Sequence, residues 1–119
     1  MKLQKDLYCY EVKEIVKVVD GDTVDVILDL GFDVHIKKRI RLNAINAHES
    51  RTRDKKEKKK GLAAKARLIE LCNEGNIIVK SCGIGKYGRL LGELYTRGAN
   101  INNILLSEGH AVRYDGGKK

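Results

Sequence analysis

The sequence predicts a mainly β member of the α+β class, and three observations carry that reading. Residues 8–45 alternate apolar and polar side chains at the period of a strand, a helical stripe follows near residues 61–74, and two more short apolar runs precede a second, short helical segment. The first strand, from Tyr8 to Val19, shifts its alternation near Glu14-Ile15, which predicts a bulge or bend of the kind that curves a barrel. The second, Thr23 to Leu30, places Val24, Val26, Leu28 and Leu30 on one face and Thr23, Asp25, Ile27 and Asp29 on the other. Gly31-Phe32-Asp33 turns the chain. A third strand from Val34 to Ile45 sets Ile36, Ile40 and Leu42 inward, so that Arg39 and Arg41 point to the opposite face. Leu62, Ala66, Ile69 and Cys72 form one stripe of a helix from about Gly61 to Glu74, with Gly75 placed to end it in a left-handed cap. Ile77-Ile78-Val79 reads as a fourth strand, Gly83–Gly88 as a turn, and Arg89–Tyr95 as a fifth strand with Leu90 and Leu94 inward. Asn100 caps a short helix carrying Ile101, Ile104 and Leu105, which Gly109 ends. This order is that of a five-stranded OB-fold barrel with a helix between strands 3 and 4 and a short C-terminal helix. One domain over residues 1–119 is expected, with its core at about residues 8–114.

The chain has 24 Lys plus Arg against 16 Asp plus Glu, a net charge of +8. Such a balance on a small domain favours polyanionic partners, nucleic acid first, or serves only to keep the protein in solution. Seven of the ten residues from Arg51 to Lys60 are basic. That run is expected not to pack, as a mobile loop close to disorder or a solvated helix start. Lys55, Lys56, Lys58 and Lys59 are its candidate contacts to a nucleic-acid backbone, made without reading sequence. Cys9, Cys72 and Cys82 have no C-x-x-C spacing and read as free thiols. No run approaches a membrane span, and Met1–Asp6 lacks the apolar stretch of a signal peptide. A cytoplasmic monomer that binds no membrane is therefore expected, with secretion left open if a leader has been removed.

Asp20-Gly21-Asp22 is a poor way to build a core and a good way to hold a hard cation, because two carboxylates end an apolar strand beside a glycine. Phosphoryl chemistry needs fixed cations aimed at the charge that develops on phosphate oxygens. Arginine suits that task through its planar fork and permanent charge, and Arg41 and Arg89 are the candidates. Glu49 is the candidate carboxylate for handling water or a proton. Taken singly, Arg41 reads equally as an outward barrel arginine, Arg89 as a turn residue beside Gly88, and Glu49 as an exposed glutamate.

Val19-Asp20-Gly21-Asp22-Thr23-Val24, then Arg41-Leu42 with Asn46-Ala47-His48-Glu49 after Ile45, then Lys86-Tyr87-Gly88-Arg89, resemble in order the motifs of the thermonuclease family, the staphylococcal nuclease-like domains. The resemblance covers about residues 10–112. It implies an OB-fold endonuclease that uses one calcium ion to hydrolyse phosphodiesters of DNA and of RNA as a second substrate class. Single strands are the expected preference, because an OB groove and a mobile basic loop suit an unstacked chain better than a rigid duplex. Sequence specificity is low, and departure of the 5′ oxygen leaves 3′-phosphate ends. By the same resemblance Asp22, Asn46 and the backbone carbonyl of Ala47 hold the metal, with Asp20 in support behind them. Arg41 and Arg89 act on the phosphate, and Glu49 activates or positions the attacking water. Asn46 stands where the family has an acidic residue, so weak calcium binding is expected, because affinity follows ligand charge. His48 replaces a usual proline and is either a plain surface histidine or a phosphate contact. Tyr87 and Tyr114 either touch the nucleotide or are half-buried structural tyrosines. The alternative is a catalytically weak or inactive nucleic-acid-binding module. Retention of Arg41, Glu49 and Arg89, which a pure binder has no need of, argues for the enzyme.

Overall fold

The computed structural model describes residues 8–114. Strand β1 (Cys9–Asp20) pairs antiparallel with β2 (Thr23–Asp29), and β2 with β3 (His35–Leu42). Strand β5 (Ile77–Ile84) joins the other edge of β1 and pairs in turn with β6 (Leu90–Thr96). Parallel pairing of Ile40, Arg41 and Leu42 with Leu90, Leu91 and Gly92 then closes β3 onto β6. These five strands form the expected barrel, which leaves little open edge. The ladder between β1 and β2 slips between Val12 and Glu14 and twice more before the turn. The irregularities around Glu14-Ile15 answer to the predicted bulge, the one at Val18/Asp20 goes beyond it, and together they give a 12-residue strand the bend that closure demands.

Val24 and Val26 are fully buried and Leu28 nearly so, as period two dictates, while Leu30 lies beyond the strand and is 39% exposed. Ile40 and Leu42 face the core, but Ile36 near the far end of β3 is half out. The third strand is also shorter than predicted. It stops at Leu42, turns through Asn43 and Ala44 (φ 66°), and resumes as β4 (Ile45–Ala47). Two small pieces that have no period of their own complete the sheet structure. Strand β7 (Ala99–Asn100) extends β6, and β8 (Ala111–Arg113) pairs antiparallel with β4.

Helix α1 spans Lys55–Cys72, so from Lys55 onward the basic run is not a disordered loop but the helix's first turns, with residues 51–54 leading into it. Asp54 supplies the reason: its carboxylate accepts the backbone N–H groups of Lys56 and Glu57, satisfying donors that a helix start leaves orphaned. The buried stripe differs too. Gly61, Ala64, Leu68, Leu71 and Cys72 face inward, whereas Leu62 and Ile69 are 49% and 40% exposed. Two glycines set that phase by allowing close approach. A Cβ on Gly61 would collide with the Glu49 carbonyl and the Ser50 nitrogen, and one on Gly21 would lie 2.7 Å from the Ala64 Cβ. The helix thus rotates to bring its small residues against backbone, where a larger stripe would not fit.

Helix α2 (Ile101–Ser107) is capped by Asn100, whose side chain accepts the Asn103 N–H, and Gly109 follows it with φ 80°. Ile101 and Leu105 are fully buried. Asn102, also buried, donates to the Asn43 and Gly92 carbonyls and accepts from the Leu94 N–H, which ties α2 to the corner after β3. Arg67 of α1 forms a fork onto Glu108, joining the two helices. Cys9, Cys72 and Cys82 are free thiols, Cys72 buried and its pKa pushed up to about 11 by that burial. Among the described residues no helix is long and apolar enough to cross a membrane.

Candidate active site

The site forms where the β1–β2 turn, the end of β3, β4 and the start of α1 meet. The turn must be tight: a Cβ on Gly21 would lie 2.9 Å from the Ala47 Cβ as well as against Ala64, so only glycine lets Asp22 reach β4. Asp22 is buried, and its Oδ2 accepts the Ala47 N–H at 2.9 Å while Oδ1 accepts the Thr23 hydroxyl at 2.9 Å. Its backbone carbonyl accepts the Leu42 N–H at 2.8 Å, which fixes the turn to the end of β3. Asp20 is half-buried and accepts the Gly21 N–H through its own Oδ1.

Arg41 lies opposite Thr23 in the ladder and reaches under the β3–β4 corner. Its Nη1 donates to the Leu42 and Ile45 carbonyls at 3.0 and 2.7 Å, and Nη2 donates to Asn46 Oδ1 at 3.1 Å. Nη1 is also 3.6 Å from Asp22 Oδ2, with both side chains only 11% exposed. The guanidinium sits 5.7 Å from the centre of the Tyr114 ring, a cation–π distance. An arginine has five N–H donors. The three bonds to Leu42, Ile45 and Asn46 use both N–H groups of Nη1 and one of Nη2.

Asn46 and Ala47 belong to β4, and their register opposite Val112 and Ala111 of β8 holds them in place. In an extended strand a residue's N–H and C=O point the same way. With the Ala47 N–H on Asp22, its carbonyl faces the same side. Glu49 and Arg89 are exposed at the rim, Glu49 in the segment after β4 and Arg89 between a single 3-10 turn (Lys86–Gly88) and β6. Neither side chain has a partner among the described residues.

Asp20, Asp22, Arg41, Asn46, Ala47, Glu49 and Arg89 line one open cavity of about 320 Å³. The two arginines expected to act on the phosphate, the glutamate expected to act on water, and all the residues expected to hold the metal thus line one cavity. An adjoining cavity of about 290 Å³ shares Arg41 and Arg89 and adds Lys86 and Tyr114. Tyr87 and the four lysines do not line the first cavity. Tyr87 is 93% exposed with a left-handed φ of 60°, and Lys55, Lys56, Lys58 and Lys59 are exposed on the first turns of α1.

A family model described as staphylococcal nuclease homologue matches residues 39–119. The chain belongs to that family. Micrococcal nuclease of Shigella flexneri is 33% identical over 110 residues, covering 85% of this chain and 57% of the relative, so the chain spans little more than half the relative's length. The matched family span holds Arg41, Asn46, Ala47, Glu49 and Arg89 but not Asp20 or Asp22. In this staphylococcal nuclease homologue it is the bond from the Ala47 N–H to Asp22 that brings the hairpin carboxylates to the rest.

The donor set suits a hard cation: the Asp22 carboxylate, the Asn46 amide oxygen and the Ala47 strand carbonyl, all oxygen, with Asp20 behind them and no soft ligand in the cavity. Asn46 Oδ1 gives one lone pair to Arg41, which leaves the second. Sequence reasoning did not single out two residues of this wall, Thr23, whose hydroxyl bonds Asp22, and Glu57. Glu57, on the first turn of α1, also lines the cavity, and its Oε2 accepts the Glu49 N–H at 3.0 Å and meets His48 Nδ1 at 3.2 Å. The Glu49 N–H, with His48 behind it, holds the Glu57 carboxyl below its ordinary range. In the sequence Glu57 reads only as a countercharge in a basic run. The signal that could have found it is Asp54 three residues earlier, the spacing of a helix cap.

Proposed function

We propose that this domain is a calcium-dependent endonuclease that hydrolyses DNA, single strands before duplex, and RNA, with low sequence specificity. The observation that carries the reading is the one cavity lined together by Asp22, Asn46, Ala47, Arg41, Glu49 and Arg89. Asp22, Asn46 and the Ala47 carbonyl would hold the ion. A bound calcium ion supplies a fixed double charge beside a phosphate oxygen and makes a nearby water easier to deprotonate.

The chain's own residues do the rest. Glu49, exposed and with no partner among the described residues, takes the proton of the water that attacks phosphorus. Arg89 at the rim and the remaining donors of Arg41 bond the equatorial phosphate oxygens as charge grows on them. The bond from phosphorus to the 5′ oxygen breaks, that oxygen takes a proton from solvent water to leave as a 5′-hydroxyl, and the phosphate stays on the 3′ side. Because the Arg41 guanidinium is already held by Leu42, Ile45 and Asn46, it needs no reorganisation when substrate arrives. The lysines of α1 lie outside the cavity and track the backbone of the bound strand.

Digestion of labelled single-stranded DNA, duplex DNA and RNA with added calcium, magnesium or chelator tests the reading. Cleavage that needs calcium and leaves 3′-phosphate ends is expected. Binding to all substrates without cleavage under any metal would favour the nucleic-acid-binding module instead.

A further inference from the structure

Helix α1 begins with the pattern Asp54-x-x-Glu57, in which the glutamate ordinarily turns back to the N–H of its own cap residue. Here it does not. The Asp54 N–H is taken by the Thr52 hydroxyl at 3.3 Å, and Asp54 alone caps Lys56 and Glu57. Glu57 is therefore released, and its carboxylate crosses to the Glu49 N–H at 3.0 Å, with His48 Nδ1 on the same oxygen. One helical turn further, Gly61 lets α1 abut the next peptide along the chain, so closely that a Cβ would strike the Glu49 carbonyl and the Ser50 nitrogen. Glu49 lies outside any strand, and beyond the bond from the His48 N–H to the His110 carbonyl at 3.4 Å these two contacts from α1 hold its backbone.

We infer that Glu57 is a positioning residue for Glu49, acting through the Glu49 backbone amide while Gly61 abuts the peptide that follows, so that α1 holds both peptides flanking the Glu49 Cα. The inference rests on the nuclease reading and adds to it a reason why the basic start of α1 contains a glutamate at this position. What matters in this arrangement is an acceptor oxygen at the right reach and not its charge, since one oxygen serves both Glu49 and His48. The helix should survive its loss, because Asp54 keeps the cap.

The test is steady-state cleavage of single-stranded DNA by Glu57→Ala, Glu57→Asp and Glu57→Gln, alone and combined with Glu49→Gln, with melting temperatures alongside. Glu57→Ala should lower kcat about ten-fold with KM little changed, the size expected when a catalytic group is slightly misplaced. Glu57→Asp, which keeps the charge and loses the reach, should behave like Glu57→Ala, whereas Glu57→Gln, which keeps the acceptor, should stay near the parent. In the Glu49→Gln background none of the three should lower the rate further. Should Glu57→Ala fail to fold, the order of Asp and Gln decides alone. A parent that cleaves, with Glu49→Gln impaired and Glu57→Asp normal, overturns the positioning role and leaves the nuclease standing. The reverse order, Gln impaired and Asp normal, overturns it in favour of a charge effect. A parent that cleaves nothing overturns the nuclease reading and this inference with it.

Discussion

The two arginines of the cavity live in opposite surroundings. Arg41 is nearly buried, bonded to two carbonyls and an amide oxygen, close to the Asp22 carboxylate and against an aromatic ring. Arg89, on the same wall, is exposed and holds nothing among the described residues. The same division runs through the carboxylates: Asp22 is braced from both oxygens, and Glu49 stands open at the rim. The inner half of the site is therefore built by the fold and builds the fold in return, while the outer half waits for substrate. Removing an inner group should cost stability as well as rate, and removing an outer one should cost rate alone.

Arg41→Ala carries the largest expected effect. It strands two carbonyls and the Asp22 carboxylate, so about 2 kcal/mol or more of stability should go with the activity, charged hydrogen bonds being worth that much each. Arg89→Ala should lower kcat on the order of 10²-fold or more, as removal of one transition-state donor does, with the melting temperature unchanged. Thermal melts and rates on both variants check the contrast, and equal melting temperatures would break it. A smaller effect belongs to Asn46→Asp, which restores a full charge to the inner half. Calcium should bind the variant more tightly by calorimetry, and an unchanged isotherm would remove Asn46 from the ion's surroundings. The smallest concerns the periphery. Alanine at Lys55, Lys56, Lys58 and Lys59 should leave the rate at saturating substrate near the parent's. It should also flatten the salt dependence of single-strand binding, by about 0.7 in slope for each phosphate that a lysine no longer neutralises.

The same division explains what is legible in the sequence. Period two places Val24, Val26 and Leu28 inside without ambiguity, because a strand has only two faces. The Asp20-Gly21-Asp22 turn, the Asn100 cap and the three outlying residues Arg41, Glu49 and Arg89 are equally readable, since each depends on local chemistry or on a motif. Helix α1 is not. Leu62, Ala66 and Ile69 make as good a stripe as Ala64, Leu68 and Leu71, and only the close approach of Gly61 and Gly21 to their neighbours selects the second. That is tertiary information, as are the pairing of three residues in β8 with β4 and the buried bonds of Asn102. The start of α1 is obscured for another reason: the density of charge masks the Asp54 cap, although lysine is a good helix former and the five lysines of the run that lie on the solvated helix repel only weakly. Glu57 is hidden with it.

The nuclease reading depends on an ion and two guanidinium groups meeting at one phosphate in the shared cavity. A crystal structure of the protein with calcium and a short phosphorothioate single strand tests this most directly. It should place one phosphate between an ion held by Asp22, Asn46 and the Ala47 carbonyl and the donors of Arg41 and Arg89, with Glu49 beside the open face of phosphorus. A strand lying on the α1 lysines with its phosphates clear of that cavity, or an ion seated elsewhere, would contradict it.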